Sequence, residues 1–584
     1  VVQVRTADGA GGQAPTFTAY DHHYALVVVE GLTPGSSTPY QVFVDGEQAW
    51  PEPESRFPPS VIRTRAADDA DQPVRLIFGS CRETTQHATA RRLPPDALDA
   101  YARRLMAGAA TAGDTPDLLV LLGDQVYADQ TSPTVRHLLG RRRNRPREAP
   151  ANQVVSFDEY TKLYLESWRD PEIRWLLSTL PTAMIFDDHE IIDDWNTSAA
   201  WRDEARAQPW WDERIASGLA SYWVYQHLGN LDPDEIAADP LYAKVVAAED
   251  ATTVLREFGQ RVDAESELGH DAELALSSAR DSSSARGGGA AVARSSPSAV
   301  RTRTYQWSFA LDIGRTRLVM LDNRCSRVLD RGKRAMLPPD EWAWFIDQTH
   351  GSYDHLVIGS SLPWLLPPGI HHLEAWNERL ADSPRPRVAA LAEKVRRALD
   401  LEHWAAFQRS FEALAALFIR LGAGPDHRGG EPGGAGEPGA GGERVGAAPA
   451  YPPPASITPP ASISVLSGDV HHSYVARAHF PEPLATPVHQ LTCSPIHNQV
   501  PAAMRPLMRL GWWQGPAAAA RALARSVGLT RPIVRWGRLT GPYFGNAVGT
   551  LTHTGRAAEV TIEGTTRHGE LRAVARVPLQ AAGR

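Results

Sequence analysis

Cysteine is nearly absent, with 3 in 584 residues. Three thiols cannot build a disulfide framework, so apolar burial has to hold the fold and no oxidising compartment is required. No stretch approaches the ~18 apolar residues of a membrane span. The start of the chain also lacks a basic region followed by an apolar one, the pattern of a secretory leader. That absence favours a cytoplasmic location, while a trimmed start would leave export open. Positive charge is not in excess: 60 Lys and Arg face 68 Asp and Glu, a net −8. Phosphate-neutralising charge is what nucleic-acid binding needs, so no specific nucleic-acid partner is expected. What is there is a hydrophobic content of 42% and a charged content of 22%. Those values belong to a globular chain, long enough for roughly four units of ~150 residues. Nothing in it selects an oligomeric state.

The first 65 residues read as β. Ala25 to Val29 is apolar, and Tyr40, Val42 and Val44 alternate before Asp45-Gly46, a hairpin signal. Gly31 to Gly35 followed by Tyr40 resembles the strand-turn-tyrosine pattern of fibronectin type III-like sandwiches. Pro51 to Pro59 reads as a linker. From Val74 to the end, short apolar runs alternate with helical patterns, the signature of an α/β sheet. The runs are 76–78, 118–122, 183–186, 318–321, 356–358 and 463–466. Val388 through Leu414 follows one helical spacing. Two stretches, Ser277 to Val300 and Gly422 to Pro454, are so rich in Gly, Ser, Ala and Pro that they read as disordered insertions. Arg141 to Arg147 reads as a solvated basic loop. Trp512 and Trp513 near Arg509, with the Ala517 to Ala524 stretch, read as packed helix in preference to a lid or a membrane-facing patch. Alternation at Val560 and Ile562, then from Leu571 to Val577, predicts a C-terminal antiparallel extension.

Chemistry follows the apolar runs. They end in Ser80-Cys81, in Gly123-Asp124-Gln125-Val126-Tyr127-Ala128-Asp129, in Asp187-Asp188-His189-Glu190, in Asp322-Asn323-Arg324 and in Gly468-Asp469-Val470-His471. Ligands of open α/β sheets bind outside the carboxyl ends of the strands, so these segments should converge. Any one of them also reads as an ordinary turn or helix cap, and Cys81 alone as a small buried hydrophobe. Together they gather carboxylates, a thiol, a phenol and imidazoles. Clustered carboxylates repel unless cations balance them. Their oxygens suit a hard ion such as calcium, a thiolate and phenolate suit a trivalent or softer transition metal, and the set is too rich in oxygen for structural zinc.

The five motifs, in this order over residues ~76 to 475, resemble the alkaline phosphatase D (PhoD-like) metallophosphatases. The resemblance implies an α/β fold: a calcineurin-like αββα sandwich over 74–584, preceded by a small all-β sandwich over 1–65. It also implies hydrolysis of phosphate esters, mono- or diester, at a cluster of ferric iron and calcium, other divalent metals remaining open. Carried over by position, Cys81, Asp124 and Tyr127 become iron-side ligands, with Asp124 bridging. Asp188, Asp193, Asp469 and His471 complete the metal set. His189 takes the place of the histidine that meets phosphate or protonates the leaving group. Arg324 becomes a phosphate clamp, with Arg327 beside it for substrate binding. The pattern departs at Asp193-Asp194, where the family usually has asparagine; added negative charge there would tighten calcium or change the metal complement. The alternative is a noncatalytic, calcium-stabilised binding protein that recognises a partner through its β domain.

Overall fold

The computed structural model describes residues 1–67, 72–84, 93–108, 115–140, 149–265, 305–423 and 458–581. The insertion at 277–300, nearly all of that at 422–454 and the arginines of 141–147 lie outside the described residues.

Seven strands occupy the first 63 residues: β1 (Val2–Thr6), β2 (Gly11–Ala14), β3 (Phe17–Ala19), β4 (His22–Tyr24), β5 (Ser37–Val44), β6 (Glu47–Trp50) and β7 (Val61–Arg63). β5 pairs with β1, β6 and β7, and β2 extends the sheet beyond β1. The β5–β6 turn is the expected Asp45-Gly46, at φ 50° and 89°, the positive pair that a two-residue hairpin needs. Ala25 to Val29 forms no strand. β3 and β4 stand apart as a hairpin that docks on the residues beyond. Tyr20 at its tip stacks on Phe157 at 4.3 Å, and the Tyr24 hydroxyl lies 2.8 Å from that of Tyr225.

Two further sheets carry the rest. One runs β10-β9-β8-β18-β19-β20, built from β8 (Val74–Gly79), β9 (Leu118–Leu122), β10 (Thr182–Ile185), β18 (Ala547–Thr554), β19 (Ala557–Thr565) and β20 (Leu571–Gln580). The other runs β11-β12-β13-β14-β16-β15-β17. Its strands are β11 (Phe309–Ile313), β12 (Thr316–Leu321), β13 (His355–Ser360), β14 (Ser462–Ser467), β15 (Ser473–His479), β16 (Val488–Thr492) and β17 (Arg535–Tyr543). β8, β9 and β10 are parallel, as are β12, β13, β14 and β16. Parallel strands are covered on both faces, which explains their unbroken apolar runs. Side chains alternate along them. Leu76, Phe78, Val120 and Leu122 meet Leu318, Met320, Val357 and Leu466 between the sheets. Ile77, Leu119 and Leu121 turn outward beneath the helices Ala97–Met106 and Pro171–Thr179. Val319, Leu356 and Ile463 turn outward beneath Pro339–Gln348 and Gln408–Gly422. This is the αββα sandwich. The C-terminal alternation appears as β19 paired with β20, Val560 opposite Val577 and Ile562 opposite Ala575.

The helical spacing expected from Val388 to Leu414 is interrupted. The run divides into Pro386–Leu399 and Gln408–Gly422. Asp400, left-handed at φ 52°, ends the first. Apolar spacing on either side conceals the break, and the residues between carry Glu402 and His403 into the protein.

Candidate metal centre

The carboxyl ends of β8, β9, β10, β12 and β14 meet at one pole of the sandwich. The chain has to turn sharply there. Cys81, Asp124, Asp469 and His471 all hold positive φ, at 58°, 55°, 63° and 48°. A residue with a Cβ pays of order 1–3 kcal/mol for such a conformation, and functional sites are where such residues cluster. Two glycines allow the approach. A Cβ on Gly123 would lie 2.5 Å from that of Asp187, and one on Gly468 would lie 2.1 Å from Ser80 Oγ. Glu190 locks two motifs together by accepting backbone N–H bonds from Asp124, Gln125 and Asp187 at 2.7–3.0 Å.

Asp124 belongs to two groups of closely spaced donors. The ligand atoms of Cys81, Asp124 and His471 lie within 4.8 Å of one another, and so do those of Asp124, Asp188 and His189. Asp187, Asp188 and Asp469 form a third such group. Asp124 Oδ1 is buried without a hydrogen-bond partner, as is Asp187 Oδ2, and an orphaned anionic oxygen fits a cation. Electrostatics agree. Burial, against the pull of His189 and with the Asp188, Asp187 and Glu190 carboxylates, pushes Asp124 well above its usual range, and burial with Asp124 does the same to the Tyr127 phenol. Burial, then Asp124 and Asp469, does the same to the Cys81 thiol. Asp188 is raised by burial against the pull of Arg324 and His189. Positive charge placed among these groups would restore their anionic forms. Other contacts already favour the anions: the Ser494 hydroxyl donates to Cys81 Sγ at 3.3 Å, and Asn498 Nδ2 donates to the Tyr127 oxygen at 3.0 Å.

His189 stands over this pole, its ring 4.6 Å from that of Tyr127. Its Nδ1 lies 2.9 Å and 3.0 Å from the two oxygens of Asp129. Burial would deprotonate the imidazole, but Asp129, Asp188 and Asp124 outweigh it and hold the pKa well above the usual range. Asp193, expected among the ligands, is placed differently. Its side chain is 65% exposed, with an oxygen 3.8 Å from His189 Nε2. It groups with His189 and Asp129 at the mouth.

The structure places Arg324 and Arg327, expected as substrate groups, among buried carboxylates. Both side chains are fully buried. Arg324 pairs with Asp187 through Nε and with Glu402 through Nη1, and its Nη2 lies 3.5 Å from Asp188 and 3.7 Å from Asp469. Arg327 bonds Glu402 at 3.0 Å, the Asn323 carbonyl at 2.7 Å and the Asn196 carbonyl at 3.2 Å. Arg327 is committed to these partners, while Arg324 keeps Nη2 without a hydrogen-bond partner on the side of Asp188 and Asp469.

Several residues escaped the sequence reading. Asp129 was visible at the end of the Gly123 motif but had no role without its histidine. His403 bridges Glu374 (2.8 Å) and Asp469 (3.0 Å). Burial pushes this imidazole's pKa down, but Glu374, with hydrogen bonding and charge from Asp469, outweighs it and holds the pKa well above the usual range. Burial pushes the Asp469 carboxyl up, but the hydrogen bond and charge of His403, with Arg324, hold it below the ordinary range. Only Glu402-His403 at the break after Asp400 could have signalled this support.

Residues 1–62 match a family model described as a domain of unknown function, DUF7800. Residues 99–247 match one described as PhoD-like phosphatase. No curated protein matches the chain. A solved structure, "Structure of PhoD", superposes over 99% of this chain and 82% of its own, with a TM-score of 0.52 and 13% identity. At that identity the likeness is one of fold. Segment and architecture point the same way: the chain is similar to the PhoD-like phosphatases and has the calcineurin-like sandwich of PhoD.

Proposed function

We propose that the protein hydrolyses small phosphate esters at a two-cation centre. The observation that carries this reading is Asp124, shared by two donor groups and left with a buried, unpartnered oxygen, beneath a histidine held by its own carboxylate. Cys81, Asp124, Tyr127 and His471 would hold one cation, and Asp124, Asp188 and Asp469 the other. The thiol and phenol favour ferric iron on the first side, and the all-carboxylate set favours calcium on the second. Such cations supply Lewis acidity toward phosphoryl oxygens and lower the pKa of water.

The chain's own residues then have defined tasks. Arg324, Glu190 and His403 fix the carboxylates. Asp129 holds His189 by Nδ1, which leaves Nε2 directed to the mouth. A protonated His189 gives its Nε2 proton to the leaving alkoxide as the P–O ester bond breaks and water adds to phosphorus. Asp193 lies beside that nitrogen and would hold the proton in place before transfer. Arg327 is held by Glu402 and two backbone carbonyls, so of the two guanidiniums only Arg324, through its unpartnered Nη2, has a donor left on the side of the metal set. A noncatalytic calcium-binding protein would have no use for a His189–Asp129 pair at the mouth.

The test is optical and kinetic. Purified, metal-replete protein should absorb in the visible through thiolate- or phenolate-to-iron charge transfer, and should hydrolyse an aryl phosphate or a bis-aryl phosphate. The ratio of the two rates assigns monoester or diester preference. Colourless protein that is fully active would remove iron from the proposal, and no turnover of either ester by metal-replete protein would remove hydrolysis.

A further inference from the structure

The chain carries net negative charge, yet one long segment contains no acid. Residues 483–558 hold eight arginines and no lysine, aspartate or glutamate. The segment includes the helices Arg505–Leu510 and Gln514–Ser526. The first helix has no buried residue. The second buries only Ala517 and Ala524, and it leans on the helix Pro368–Ala381, where Arg521 Nε reaches His372 Nε2 at 3.2 Å. Arg505, Met508, Ala520 and Arg521 are half-buried, and the rest of the pair is exposed. Met504 is 37% exposed, Leu507 49%, Leu510 39%, Trp513 60% and Leu523 38%. Seven of the sixteen exposed large hydrophobics among the described residues fall between Met504 and Leu539. Arg509, Arg525, Arg531, Arg535 and Arg538 are exposed among them, and none of these five makes an ion pair with a carboxylate among the described residues.

We propose that this surface is a lipid contact, which seats the protein on a bilayer with anionic headgroups. Met504, Leu507 and Leu510 recur every three residues and so share one side of their helix. Short apolar side chains and a tryptophan at the surface, set among arginines, are the composition of an interfacial helix. Guanidiniums without carboxylate partners are complementary to lipid phosphates. The aliphatic side chains are what a nucleic acid or other water-soluble polyanion would leave uncovered. No helix among the described residues is long and apolar enough to cross a membrane, so the contact would be peripheral. It also borders the metal centre. Asn498, bonded to Tyr127, precedes Met504 by six residues. The guanidiniums of Arg505 and Arg509 lie over the Phe544 ring at 5.8 Å and 5.1 Å, and that ring is 5.7 Å from His472. Seated this way, the mouth would open close to the headgroup layer.

The test reads partition, not turnover, so it stands or fails apart from the hydrolytic reading. Full-length protein is sedimented with vesicles of phosphatidylcholine alone or of phosphatidylcholine mixed with phosphatidylglycerol. Binding to the mixed vesicles should exceed binding to the neutral ones by roughly tenfold or more and should weaken as salt is raised. Two exposed double variants, L507D/W513D and R509E/R525E, should each lose that binding by a similar factor while keeping the wild-type melting temperature. Failure of the wild type to bind either vesicle overturns the proposal. So does binding that both variants retain, because the contact would then lie elsewhere. A concentration-dependent dimer that L507D/W513D breaks, with no vesicle binding, overturns it in favour of a second copy of this chain.

Discussion

The two ends of the parallel strands are buried alike and built from opposite chemistry. At the carboxyl ends, the ionisable groups of Asp124, Asp187, Asp188, Asp469, Glu402, Arg324 and His403 pack together. At the amino ends, two neutral imidazoles stack. His355 opens β13 and His553 lies on β18 opposite Val74, the first residue of β8. Their rings are 3.9 Å apart and nearly parallel, at 8°. His355 bonds Ser462 and the Gly555 carbonyl, each at 2.8 Å, and His553 bonds Thr316 at 2.7 Å. A carbonyl only accepts, so His355 Nε2 carries its proton and Nδ1 takes the serine hydroxyl. Burial lowers both pKa values. The quiet end leaves one ring nitrogen, His553 Nε2, without a partner, but a neutral imidazole nitrogen calls for no balancing ion. The charged end leaves Asp124 Oδ1 and Asp187 Oδ2 unpartnered, and it spends left-handed backbone at four residues to do so. That contrast separates a polar core that only staples the sheets from one arranged to receive something.

Asp124→Asn should break the contrast most completely. The amide keeps the shape and removes the charge common to two donor groups. Metal content and turnover should fall together, turnover by more than about 10³-fold, because a metal contribution is worth several kcal/mol. Wild-type metal stoichiometry in this variant would show that Asp124 does not bridge. Arg324→Met should come next. It leaves Asp187, Asp188 and Glu402 with less countercharge in a buried site, and removal of one partner from a buried network costs about 3–5 kcal/mol. Urea unfolding of the metal-replete protein should reveal that loss. An unchanged midpoint would mean that Arg324 is not the support its contacts describe.

The charged end was largely legible in the sequence and the quiet end was not. A strand that finishes in Gly-Asp or Asp-Asp-His-Glu announces itself, because period-two burial stops and charge begins. The five strand-end motifs meet as expected, and the two sheets follow from their apolar runs. Support from other elements was hidden. Glu374 and His403 sit in helical patterns whose apolar spacing is complete without them. Arg324 and Arg327 carry the residue type of a phosphate clamp, and only the structure reveals the buried carboxylates they pair with. His355 and His553 are 198 positions apart by number and adjacent only once two sheets stack. No local pattern encodes that meeting.

The smallest expected effect tests the quiet end. Both histidines have folded pKa values below the ordinary ~6.5. For His355, the Gly555 carbonyl and Asp354 act against burial without reversing it, while Arg556 and Arg315 act with it. For His553, the charge of His355 adds to burial. Below pH ~6.5 the unfolded chain therefore binds protons that the folded chain refuses, and stability falls as pH drops. His553→Phe keeps a flat ring against His355 and deletes one of these proton sites. It also releases the Thr316 hydroxyl, at a cost of about 1 kcal/mol at neutral pH. Between pH 6.5 and 5, unfolding free energy should decline less steeply than in the wild type, by up to about 1.4 kcal/mol per pH unit. Parallel acid limbs for the two proteins would mean that His553 titrates equally in both states. The stacked pair would then be as accessible to protons as the exposed surface, which its burial forbids.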